Sequence, residues 1–142
     1  MLNRKYLPDL ASLIDRLSIC LLKSILIPEH KKYYLEEIAL IKHDISEICK
    51  EKDIKLDADF VFSIMAIILI NREIWLNESK ARQGGSEQDK LLKFTHSCNG
   101  KRNKFKNIIS EKIGERTDKK LDCLASEFTS QEFIKTHGDW DI

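Results

Sequence analysis

Residues 60–70 read FVFSIMAIILI, an unbroken apolar run relieved by a single hydroxyl. A transmembrane helix needs about 20 consecutive apolar residues, so this run is too short to cross a bilayer. It does not alternate as a half-buried strand would. It predicts a helix that is buried in a core, and the rest of the chain is read outward from it. Asp57 stands just before the run as an N-cap, a residue whose side chain satisfies a free N–H of the first turn. The helix continues through ILINREIWLNESKAR to Arg82, and Gly84-Gly85 then supplies the left-handed geometry that ends it. With about 100° per residue, Phe60, Ile64, Ile67 and Ile74 share one face, and Asn71, Glu78 and Arg82 fall within it. The inward stripe of this third helix therefore turns from aliphatic carbon into an amide, an acid and a guanidinium.

Upstream, two more helices are expected. The first opens at Pro8-Asp9, where proline suits a first helical turn, and runs through LASLIDRLSICLLKSILI to Pro28. Leu10, Leu13, Ile14, Leu17, Cys20, Leu21 and Ile25 recur at helical spacing, with Asp15, Arg16 and Ser18 set among them. The second covers roughly residues 29–52, with Tyr34, Ile38, Ile41, Ile45 and Ile48 as its apolar stripe. Downstream, a fourth helix starts at Ser86, with Asp89 three residues on in an arrangement close to a capping box. Its inner face carries Leu91, Phe94, Cys98, Phe105 and Ile109. The Asn99-Gly100 dipeptide favours a turn, so either one helix with a weak point or two helices with a tight break fits. Gly is scarce (5) and Pro scarcer (2). The expected fold is all-α: a bundle of four main helices over 1–116 and a short helical C-terminal appendage over 117–142. ERTDKK at 115–120 is a charged linker across that boundary, Leu121, Leu124 and Phe128 are spaced to dock as a short helix, and the final THGDWDI is expected to be mobile.

Composition narrows function by exclusion. The 142 residues are one domain by size, with 24 Lys+Arg against 23 Asp+Glu and a formal net charge of +1. A protein that coats nucleic acid carries a large basic excess, so nucleic acid is a disfavoured partner. KRNKFK at 101–106 offers Phe105 for base stacking, but Phe105 also fits the core period. The opening MLNRKYLPDL lacks the apolar core of a signal peptide. Cys20, Cys49, Cys98 and Cys123 are far apart and form no C-x-x-C pair, so free thiols in a reducing cytoplasm are expected, with no metal site. G-x-S-x-G, Walker A, H-E-x-x-H and G-x-G-x-x-G are all missing, as is the E-x-x-E pattern of helical nucleotide pyrophosphohydrolases. Whether the chain is an enzyme is left undecided, with catalytic residues and any cofactor unknown.

What stands out is HSCNGKRNKFKN at 96–107, dense in cations and amides. In a continuous fourth helix Arg102 lies on the inner face, flanked by Asn99 and Lys106. In a broken one, free N–H groups at the new start would join Arg102 in an anion site. Buried polar groups cost about 1–3 kcal/mol if unpaired, so Asn71, Glu78, Arg82 and Arg102 need partners, and Asp15 of the first helix is one candidate. Two readings follow. In the first, a polar pocket walled by Trp75 and Phe105 binds a small phosphorylated or nucleotide-like ligand through Arg82, Arg102 and Lys106. Asn71 and Asn99 then orient it, and Asp15 and Glu78 orient the arginines or assist through a metal. Asn103 is counted in the same ligand-binding set, although a continuous fourth helix points it, with His96, away from the inner face. In the second, the same residues form an internal network that fixes packing or the register of a homo-oligomer.

LIDRLSI (13–19), WLNESKAR (75–82) and HSCNGKRNKFKN together resemble a loosely defined group of small helical bacterial and phage proteins. That group shares D-[RK]-[LI]-[ST]-I, then W-x-x-E-x-x-x-R, then a segment rich in Arg and Asn. The resemblance spans roughly residues 10–110. It implies that Asp15, Glu78, Arg82, Asn99, Arg102 and Asn103 belong to one constellation, and it brings no activity with it.

Overall fold

A computed structural model describes residues 7–85 and 88–117. The fold is all-α. Helix α1 spans Leu10–Leu26, α2 Lys31–Lys52, α3 Ala58–Arg82 and α4 Gln88–Lys112, and a 3-10 turn at Pro28–His30 leads into α2. Among the described residues no helix is long and apolar enough to cross a membrane. Residues 118–142 of the C-terminal appendage and Ser86 of the expected capping box lie outside the described residues.

Local chemistry sets the boundaries. The Asp9 carboxylate accepts from Ser12 N at 2.8 Å and starts α1. The Asp57 carboxylate accepts from Phe60 N at 2.8 Å and starts α3. Each satisfies one of the N–H groups that a first turn leaves free. Pro28 stops α1 because its ring crowds the residue before it, and the chain re-enters a helix within one turn. Gly84 and Gly85 follow α3 with φ of +78° and +113°, values that side chains bearing a Cβ rarely adopt. The Asn99-Gly100 dipeptide does not break α4, which runs continuously through it. Residues 101–104 are therefore mid-helix, and their N–H groups are spent on the preceding turn rather than offered to an anion.

Two helical pairs meet along α1. Helices α3 and α4 pack most extensively against each other, and α2 packs along α1. The larger core joins Leu10, Ala11 and Ile14 of α1 to Phe60, Ala66, Ile67, Ile70 and Ile74 of α3 and to Cys98, Phe105 and Ile109 of α4. A smaller one joins Leu13 and Cys20 to Ile38 and Ile41 of α2. Helix α1 thus buries two faces, α2 only one. The expected α1 stripe breaks at its end: Leu21 and Ile25 are exposed, and Ser24 is buried instead, its hydroxyl donating to Leu21 O. The inner face of α3 is also rotated from the expected one, with Ser63, Ala66 and Ile70 buried and Ile64 only partly so.

Because α2 has no comparable contact with α3, a groove of about 400 Å³ opens between them. Leu10, Ile14, Leu17, Ile45, Leu56 and Ile64 are among its lining residues, and Ser18 also borders it.

Candidate functional site: a polar network among three helices

Asn71 is buried at the centre of α3, and its amide is fully used. Nδ2 donates to Asp15 Oδ1 at 2.7 Å and to Ser18 Oγ at 2.6 Å, both on α1. Oδ1 accepts from Arg102 Nη1 of α4 at 2.9 Å. A carboxylate can only accept and a guanidinium can only donate, so the amide has one workable orientation. Arg102 Nη2 donates to Asn99 Oδ1 at 2.9 Å, one turn back on α4. Lys106, one turn forward, holds its Nζ 3.7 Å from Asp15 Oδ2. Ser18 completes its own valence by donating to Asp15 O at 2.7 Å. One negative, three neutral and two positive side chains thus link α1, α3 and α4, in a space the hydrophobic period of each helix marks as interior.

Five of the residues read from sequence therefore come together: Asp15, Asn71, Asn99, Arg102 and Lys106. Glu78, Arg82 and Asn103 do not join the hydrogen-bonded set. A rise of about 1.5 Å per residue puts Glu78 roughly 10 Å, and Arg82 roughly 16 Å, along α3 from Asn71. Arg82 is the last residue of the helix and is exposed. A helical wheel reports angle but not height, so it cannot show that the partners of α3 are left behind before its end. The cation that joins Arg102 is Lys106, not a second guanidinium. Asp15 reaches Arg102 through Asn71 rather than directly. Asn103 is half-buried, and His96 is exposed. Trp75 is half-buried; Phe105 is wholly inside the core, so it does not wall a pocket.

Ser18 was legible only as a small polar residue in an apolar run. Its position one turn after Asp15 on the same face is the signal that ties it to the network. Glu115 gave less warning, standing in a stretch that reads as a charged linker. Its Oε2 accepts from Leu10 N at 3.1 Å, and its Oε1 lies 3.4 Å from Lys52 Nζ.

The electrostatics suit a closed interior site. Burial pushes the Cys98 thiol up to about 12, helped by the nearby Glu73 carboxylate and opposed by Arg102. A thiol so shifted is protonated at neutral pH and is no nucleophile. Cys20 is also shifted upward by burial. Arg102 Nε is buried and has no hydrogen-bond partner among the described residues. No group of three or more His, Cys, Asp or Glu there is placed to hold a metal ion. The groove between α2 and α3 touches the network only at Ser18, and neither Asn71 nor Arg102 lines it. Compared with known proteins, the chain matches no family model, no curated protein and no solved structure.

Proposed function

We propose that this chain is a protein-interaction bundle whose polar network specifies how its own helices pack. The observation that supports this reading is closure. Both N–H groups and the oxygen of Asn71, the two Nη atoms of Arg102 and the Ser18 hydroxyl are all engaged with other members of the set. A ligand at Asn71 or Ser18 would have to displace bonds already made, and Arg102 Nε is the donor left over. Such a network selects one helix register, because a shift of one residue on any of the three helices unpairs a charge. Among the described residues, Val61, Phe62, Met65, Ile68 and Leu69 leave an exposed apolar stripe along the outer side of α3 that a partner could cover.

A second reading, binding of a phosphorylated or nucleotide-like anion with metal assistance, draws on Arg102 Nε, a charge-bearing donor without a partner among the described residues. Thermal melting with inorganic phosphate, ATP and MgATP separates the two. The packing role predicts a wild-type melting temperature that moves no more with these anions than with chloride at equal ionic strength. Arg102→Ala then melts lower and is equally indifferent. A rise in wild type that vanishes in a folded Arg102→Ala variant would instead establish the anion site.

A further inference from the structure

Helix α3 is apolar on every side from Phe60 to Ile70, apart from buried Ser63. A helix of that kind is covered all round in a finished assembly. Here one side packs into the core, while Val61, Phe62, Met65, Ile68 and Leu69 remain between 38% and 59% exposed. At about 100° per residue these five, with Arg72, occupy one arc of roughly 120°. Phe62 is braced from behind, its ring 6.0 Å from that of Phe105. The patch is therefore carried by a helix whose opposite side is packed into the core.

We propose that this face binds a second copy of the same chain, with the two α3 helices antiparallel and crossing at Met65. The proposal rests on the interaction reading above and names its partner. The argument is the order of the exposed residues. An isologous contact needs a surface that is its own complement under a two-fold rotation. Reversed about Met65, the stripe maps onto itself: Val61 faces the second copy's Leu69, Phe62 faces its Ile68, and Met65 faces its own counterpart. Apolar meets apolar at every step. At the rim, Arg72 comes opposite Ala58 of the second copy, which stands between Asp57 and Asp59. The side chains of Arg72, Asp57 and Asp59 are all more than half exposed. Within one copy Arg72 already lies 3.2 Å from Glu73, and Lys112 lies 2.6 Å from Asp57 and 3.9 Å from Asp59, so at each end of the contact Arg72 joins an existing charged cluster that carries two carboxylates. A formal net charge of +1 gives two copies little long-range repulsion to overcome.

Sedimentation of the full chain over a concentration series tests this. The expected result is a reversible dimer. Met65→Lys places two like charges on the axis and weakens association at least a hundredfold, with helicity unchanged because Met65 is an exposed side chain. Mixing the Met65→Lys and Met65→Glu chains restores a one-to-one dimer. In a Cys49→Ser, Cys123→Ser background, Met65→Cys gives a covalent dimer with diamide, and Leu40→Cys, 70% exposed on α2, does not. A wild-type monomer at every concentration overturns the proposal, as does a dimer indifferent to Met65→Lys. A monomer that associates only after removal of residues 118–142 overturns it too, because the chain's own tail would then cover the face. None of these readouts depends on Arg102 or on anions, so the dimer and the packing role of the network stand or fall separately.

Discussion

Asn71 shows how one side chain commits three helices. It is 4% exposed and bridges an acid and a hydroxyl on α1 to a guanidinium on α4. Removing it leaves Arg102 Nη1 and the Asp15 carboxylate short of partners in a region that water reaches poorly. Asn71→Ala is therefore expected to cost about 3 kcal/mol in urea unfolding, more than truncation of so small a side chain would cost through lost packing. Combined with Arg102→Ala it should cost less than the sum of the two singles, with a coupling of about 1–2 kcal/mol. Strict additivity would mean that the 2.9 Å contact carries no energy of its own. This much was legible in the sequence, because an Asn on a stripe of isoleucines has to be paired with something. That Lys106 rather than Arg82 supplies the second cation was not, since that choice depends on how far each helix extends past its neighbours.

At the scale of elements, the clearest signals were residues that forbid continuation. Pro28, Asp57 and the Gly84-Gly85 pair each mark a boundary by a steric or hydrogen-bonding rule, and the helices end where those rules place them. Gly100 is the instructive case. Asn-Gly favours a turn in isolation, but Cys98 and Phe105 on either side are completely buried against the same core. Holding both there requires an unbroken helix between them, so tertiary packing overrides the local preference. The cost of Gly100 in mid-helix should be recoverable. Gly100→Ala is expected to raise stability by about 0.5–1 kcal/mol, read as a higher urea midpoint with an unchanged slope. A lower midpoint would show that a neighbouring helix packs directly on the Gly100 backbone.

For the whole molecule, what the sequence did not disclose is which helix lies against which, and so where the groove and the bare face of α3 would be. Amphipathic periods say that a face is buried, not what buries it. The pairing is reinforced at one end of the bundle by contacts between segments far apart in the chain. Lys112, the last residue of α4, lies 2.6 Å from Asp57 at the start of α3, and Glu115 ties the first residue of α1 to the last of α2. The Lys112 ammonium, with the N–H of Phe60, holds the Asp57 carboxyl below its ordinary value of 3.8. A carboxyl depressed on folding stabilises the native state fully above its unfolded pKa, and that contribution is lost as pH falls through the lower, folded value. Melting temperature is therefore expected to drop as pH falls below about 4, and part of the drop belongs to this pair. Asp57→Asn isolates that part, because asparagine keeps the N-cap and loses only the charge. The wild type should melt higher than Asp57→Asn near neutral pH, and the two should converge in strong acid. The gap should be small, since water and salt screen an exposed pair. Melting curves that stay parallel down to strong acid would show that the Asp57–Lys112 contact does not help to hold this end of the bundle closed.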